Sequence, residues 1–448
     1  MTTHAIPIAR ERPYGLYAIC FGFFLVLLDT TALNVAAASM EREFGSTISG
    51  LQWVVNSYTI VFASLVLTAG AVGDRFGAKR LYQTGLVLFT GMSLLCGLAP
   101  NVGALVGFRM IQGLGAAAML PASLALLRHA FPDGRARASA VAFWASIVSL
   151  GFAAGPALGG IMTYAFGWRS IFFINVPAGL AALTMIRRCV DETPLTNARR
   201  IDWAGQALAS LSLCALTYSL IEAGRAGWTA PRIIVGFGLS LLLATALAGA
   251  DRRSTSPVLP RHLFASPSFS ASIASGIVMG FGTYGTLFVV SIRLQTVDHM
   301  NALAAGLMMV PFTVTPTLTT RAIDRFAGGM HFKPRLVVGH AIAVAGSLVM
   351  IGSLWALGFG VVELGLALLG ISVGYITPAM TTGVLAASAA ETSGAASGIL
   401  NAGRQVGAAL GVALMGTLVQ TLGDRGLLAS FAIMILLYGG VGLYTARS

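Results

Sequence analysis

The chain has 448 residues; 10% are charged, 56% belong to the AVILMFWYC set, and mean hydropathy is +0.81. A soluble domain carries about 25% charged residues and needs polar groups over its surface that this chain lacks, which excludes a soluble enzyme, a disordered regulator and a secreted disulfide scaffold. The net charge of +12, built from 26 Arg, 2 Lys and 16 acids, would point to nucleic acid in a soluble protein; in a membrane protein the distribution of the charge decides its meaning.

About fourteen stretches are long and apolar enough to cross a bilayer as helices, each needing about 20 residues. The first eight are 15–38, 53–72, 82–100, 102–127, 138–165, 170–187, 202–222 and 232–250. The last six are 269–293, 301–322, 336–356, 360–385, 394–420 and 427–445. The expected fold is an all-α polytopic membrane protein with no room for a soluble domain. The first stretch, preceded by Arg10 and Arg12, is too long for a signal-peptide core and contains Asp29 and Asn34; it reads as a retained span.

The loops assign an orientation. Twenty of the 28 basic residues fall on the side of the termini, among them Arg75, Lys79, Arg80, Arg187, Arg199, Arg200 and Arg325. That side is therefore expected to be cytoplasmic, with both termini there. Net charge is +11 on it, zero on the opposite side and +1 within the spans, from Arg109 and Arg404 against Asp29. The basic excess marks topology, so no nucleic-acid partner is expected. The four cysteines imply no disulfide framework.

Asp74-Arg75-Phe76-Gly77 follows the second span, and Asp324-Arg325-Phe326-Ala327 follows the tenth. Two six-span blocks place these quartets at equivalent positions. The expected division is an N-terminal half, 1–188, an inserted two-span region, 189–268, and a C-terminal half, 269–448. Duplicated helical halves are a transporter architecture, with substrate held between them near the midplane.

Four segments carry the chemistry. The first span reads Leu28-Asp29-Thr30-Thr31-Ala32-Leu33-Asn34-Val35-Ala36, and Asp29 is the only acid deep in a span. Burial favours its neutral form and a neighbouring cation its charged form. It is a candidate for proton or cation handling, or else a structural acid bonded to helix backbone. The loop after the second span reads Gly70-Ala71-Val72-Gly73-Asp74-Arg75-Phe76-Gly77-Ala78-Lys79-Arg80. Gly77 suits a tight turn, the bases anchor the loop, and Asp74 could face a helix N-terminus in the other half. The fourth span contains Leu105-Val106-Gly107-Phe108-Arg109-Met110-Ile111-Gln112-Gly113-Leu114-Gly115. An arginine there costs at least about 2.5–3.5 kcal/mol unless paired or hydrated. Its depth matches that of Asp29, although a long stem can also snorkel. The fifth span contains Gly151-Phe152-Ala153-Ala154-Gly155-Pro156-Ala157-Leu158-Gly159-Gly160. Gly151, Gly155 and Gly159 share a face that another helix can approach closely, and Pro156 removes a backbone donor.

Together these segments resemble the major facilitator superfamily, specifically its fourteen-span drug/proton antiporter branch. They are similar to its L-D-x-T-x-x-N-x-A, G-x-L-A-D-R-x-G-R-K/R, L-x-x-x-R-x-x-Q-G-x-G and G-x-x-x-G-P-x-x-G-G signatures. Val72 and Gly73 depart from the loop signature, and Ala38 stands where a proline is usual. The resemblance implies proton coupling through Arg109, gating by the Asp74 loop, and export by antiport through the Gly151–Gly160 motif. The expected activity is proton-coupled export of amphipathic organic compounds from a monomeric transport unit, without cofactor or metal. A solute/proton symporter is the alternative. No P-loop, metal-ligand spacing or nucleophile elbow suggests an enzyme.

Asn34, Tyr58, Gln112, Trp144, Tyr284 and Tyr375 are candidate cavity residues, with packing or lipid contact as the alternative. Glu222 and Glu363 are expected to be solvated near helix ends. His340 is expected to sit in a polar niche. Arg404 is expected to snorkel inward or to contact the Asp74 loop.

Overall fold

The structure is a computed structural model that describes residues 12–195, 202–254, 261–326, 330–355, 358–388 and 393–447. Arg10, Arg199, Arg200 and Ala327 lie outside the described residues. The described chain is all α. The first seven helices are α1 (Arg12–Phe44), α2 (Ile48–Phe76), α3 (Ala78–Gly97), α4 (Val102–Ala130), α5 (Gly134–Phe166), α6 (Ser170–Phe173) and α7 (Asn175–Cys189). Then come α8 (Trp203–Ala226), α9 (Pro231–Arg253), α10 (Arg261–Phe264), α11 (Pro267–Thr296), α12 (Ala302–Met308) and α13 (Val310–Phe326). The last four are α14 (Phe332–Gly352), α15 (Phe359–Ala386), α16 (Ser393–Leu422) and α17 (Asp424–Arg447).

Among the described residues, thirteen helical stretches are long and apolar enough to cross a membrane. The third expected span forms α3, 20 residues long. Lys79, Arg80, Gln83 and Thr84 in its first two turns make it the more polar fourteenth. Two expected spans are broken. Pro177 cannot donate to Phe173, and the sixth span divides at Ile174 into α6 and α7. Pro311 likewise cannot donate to Leu307, and the tenth divides at Met309 into α12 and α13.

The helices before the α8–α9 pair pack chiefly among themselves: α1 on α5 and α7, and α4 on α2 and α3. Those after it do the same: α11 on α16, and α15 on α13 and α14. The two groups meet where α2 faces α16, α5 faces α12 and α13, and α1 faces α11. The α2–α16 contact is antiparallel. Gln52 Nε2 donates to the carbonyls of Val412 and Ala413 at 2.9 and 2.7 Å, Ile60 and Ala63 cluster with Ala409, and Leu67 abuts Gly398. Helix α8 lies along this seam. Thr68 Oγ1 donates to Gln206 Oε1 at 2.9 Å, and Thr417 Oγ1 donates to the Leu220 carbonyl at 2.8 Å.

Candidate functional site

Asp29 and Arg109 meet inside the first group of helices. Arg109 Nη1 donates to Asp29 Oδ2 at 2.6 Å, and both residues are almost wholly buried. The guanidinium has further partners. Nη1 also donates to Gln112 Oε1 at 2.8 Å, and Nε donates to the Val54 carbonyl at 3.4 Å. The Tyr58 ring lies 4.2 Å away, near enough for a cation–π contact. The side chain therefore does not snorkel; it sits where a charge is tolerated only when paired.

The carboxylate has a second donor that the sequence did not single out. Asn175 Nδ2, from the start of α7, lies 3.0 Å from Asp29 Oδ1 and 3.0 Å from Ser93 Oγ. Ser93 Oγ donates in turn to the Phe172 carbonyl at 3.0 Å. Five helices thus converge on one ion pair: α1 supplies Asp29, α2 Val54 and Tyr58, α3 Ser93, α4 Arg109 and Gln112, and α7 Asn175. A buried Asn beside the proline that divides the sixth span was the available signal. Its partner could not be named without the fold.

One turn beyond Asp29, α1 touches two further helices. Gly155 and Gly159 of α5 lie so close to it that a Cβ at either would overlap Thr31 or Ala32, and one at Gly151 would meet the Phe24 carbonyl at 2.7 Å. The shared glycine face therefore belongs to α1. Gly160 and Pro156 look the other way, across the boundary between the groups. A Cβ at Gly160 would meet the Ala302 carbonyl at 2.7 Å, and Gly306 packs on the Pro156 carbonyl. Farther along α1, Ser291 Oγ donates to the Asn34 carbonyl and Gln295 Nε2 to the Val35 carbonyl, each at 2.9 Å.

In the loop between α2 and α3, Gly77 takes φ +99°, a conformation that favours glycine. A Cβ there would also meet Glu192 Cδ at 2.6 Å. Glu192, just past α7, caps α3: its carboxylate accepts from the Lys79 and Arg80 amides at 2.8 and 3.1 Å. Thr193 Oγ1 accepts from the Ala78 amide at 2.9 Å. Negative charge at a helix N-terminus is favourable. Lys79 Nζ reaches the Arg187 carbonyl at 3.3 Å, and the Arg75 guanidinium lies over the Phe76 ring. Gly70 abuts Pro121 of α4, and Asp74 is exposed.

The remaining candidates are scattered. Gln112 and Tyr58 belong to the Asp29 cluster. Asn34 bonds its own helix, with Nδ2 on the Thr30 carbonyl at 3.0 Å. Trp144 stacks on Phe23, with centroids 5.5 Å apart. Tyr375 packs beside Gly339 of α14. Tyr284 lies within electrostatic range of Tyr58 and of Arg404. His340 sits in a polar niche, its Nε2 2.9 Å from Ser275 Oγ. Glu363 is exposed, but Glu222 is half-buried and accepts from Trp53 Nε1 at 3.3 Å, because α8 docks that helix end onto α2.

Residues 19–412 match the family model described as Major Facilitator Superfamily. The chain is 34% identical to a methylenomycin A resistance protein of Streptomyces coelicolor over 97% of this chain and 93% of that protein. It is 35% identical to the multidrug resistance protein Stp of Mycobacterium tuberculosis over 92% and 76% of the two chains. Its fold resembles the crystal structure of the POT family transporter PepTSo, with a TM-score of 0.71, 15% identity and 98% of each chain covered. A bacterial homologue of the lysosomal transporter Spinster gives a TM-score of 0.69 at 14% identity, with 98% of each chain covered.

Proposed function

The chain belongs to the major facilitator superfamily, and we propose that it is a proton-coupled antiporter exporting amphipathic organic compounds across the cytoplasmic membrane. It is a multi-pass membrane transporter, not an enzyme, and it is related to drug and antibiotic efflux and resistance proteins. In our reading both termini are cytoplasmic, and the divisions at 188 and 269 separate two rocking halves from the inserted pair. The monomer is the transport unit.

One observation carries the coupling: the Asp29–Arg109 pair is buried and includes the helix that also touches the opposite half. Protonating Asp29 removes the charge that compensates Arg109. The guanidinium keeps Gln112, the Val54 carbonyl and the Tyr58 ring, while α1 loses its strongest tie to α4. The loosened segment runs into Thr31 and Ala32, seated on the α5 glycines, and into Asn34 and Val35, bonded to α11. A proton at Asp29 thus bears on the seams that must part for the halves to rock. The Gly151–Gly160 motif lets α5 hold α1 on one face and α12 on the other. The Asp74 loop, braced by Glu192, acts as the gate at the end of α2 nearest the termini.

The test is a resistance panel in a bacterial host lacking its own exporters. The panel holds methylenomycin A and chemically diverse toxic compounds. Expression should raise the inhibitory concentration of at least one compound, lower its accumulation, and lose both effects when the proton gradient is collapsed. Protection that survives collapse of the gradient, or enhanced uptake in place of export, contradicts the reading.

A further inference from the structure

We propose that the exported compounds are anionic amphipaths and that Arg404 binds their acidic group. This inference rests on the export reading and specifies its substrate class.

Three charged side chains lie deep in the spanning helices: Asp29, Arg109 and Arg404. The first two neutralise each other at 2.6 Å, and Asn175 Nδ2 and Gln112 Nε2 also donate to the carboxylate, at 3.0 and 3.5 Å. Asp29 is therefore not presented to a cationic ligand in this state. Arg404 is different. It stands eleven residues into α16, about 16 Å along the helix, near the middle of a span. Its Cγ lies beside Gly276 of α11, with Met380 of α15 next to it. It is half-buried and so remains partly accessible. Among the described residues it makes no hydrogen bond or ion pair; Tyr284 is the group within electrostatic range.

A guanidinium is retained in a membrane interior at a cost unless something compensates it. Its planar fork matches a carboxylate or sulfonate in two parallel hydrogen bonds. The position suits a ligand held between the halves, because α16 packs both on α11 of its own half and on α2 of the other. Tyr284, partly accessible on α11, adds aromatic surface for the apolar body of the ligand. After Asp29 and Arg109 cancel, the deep interior carries a single positive charge, so an anion is attracted and a cation repelled. Moving that anion outward against an inward proton adds two charge movements, each favoured by an inside-negative membrane.

The test uses three naphthalene probes of one skeleton: naphthalene-1-sulfonate, naphthalene-1-sulfonamide and the trimethyl-(1-naphthylmethyl)ammonium cation. Gradient-driven uptake is followed by fluorescence in inside-out proteoliposomes of the intact chain, with Tm as the control for folding. The sulfonate should be preferred over the sulfonamide, and the cation should be poorest. Arg404→Gln should lower the sulfonate-to-sulfonamide ratio at least tenfold, and Arg404→Lys should keep most of it. Preference for the cation, or equal loss of all three probes in a folded Arg404→Gln protein, overturns the inference. So does exclusion of the sulfonate by a protein that exports compounds of the resistance panel, an outcome that leaves the export reading standing. Failure to export any compound overturns both.

Discussion

The carboxylate of Asp29 and the guanidinium of Arg109 lie 2.6 Å apart with 0% and 1% of their side chains exposed. Such a pair adds little net stability over an apolar pair, but removing one partner strands the other charge, at about 3–5 kcal/mol. Asp29→Asn and Arg109→Gln should each lower the Tm of the purified protein markedly. The double variant should be less destabilised than the sum of the two, since neither charge remains. A thermal-shift double-mutant cycle with an interaction energy near zero would show that the pair is not coupled.

Asn175 is the second prediction. Its Nδ2 serves Asp29 and Ser93 together. Asn175→Leu leaves both oxygens short of a donor in a buried site, so stability should fall by about 1–3 kcal/mol. Denaturant or thermal unfolding measures this. A change within error would place the contact outside the energetics of the cluster.

The glycine seam makes separate predictions for its two faces. A methyl at Gly159 meets the backbone of Ala32 at 2.8 Å, so Gly159→Ala should push α1 from α5 and destabilise the fold by about 1–3 kcal/mol. A methyl at Gly160 meets the Ala302 carbonyl at 2.7 Å across the boundary of the groups. Gly160→Ala should therefore act on the equilibrium between states. A cysteine placed at Asn301, next to this seam, should react faster with a water-soluble maleimide in the Gly160→Ala background. Unchanged labelling would mean that the contact does not hold the seam.

Glu192 gives a prediction away from the membrane interior. Its carboxylate satisfies two amides at the start of α3. Glu192→Ala should cost about 0.5–2 kcal/mol and speed hydrogen exchange of the amides of residues 78–81. Glu192→Gln should retain part of the protection. Exchange that stays unaltered in the alanine variant would show that α3 does not depend on this cap.

Much of the fold was readable because a bilayer imposes long apolar runs, and the helices overlap the expected spans. The breaks at Ile174 and Met309 lie just before Pro177 and Pro311, but proline also occurs inside unbroken helices, at Pro121 in α4 and Pro378 in α15. Neighbouring packing decides which proline breaks a helix, and composition does not show it. The Asp29–Arg109 pairing was legible from matched depth in two spans. Asn175, Ser93 and Glu192 were not, because each acts through a contact remote in the chain. The glycine face of α5 was legible as a face. That Gly160 serves a different helix emerged only with α12 in place.

The central claim is that Asp29 couples protons to export, and inside-out vesicles carrying the protein test it most directly. With an acidic interior and a compound taken from the resistance panel, addition of the compound should release protons from the wild-type vesicles. Asp29→Asn, shown to be folded and inserted, should give no compound-dependent proton release. Full proton-coupled transport in that variant would contradict the account.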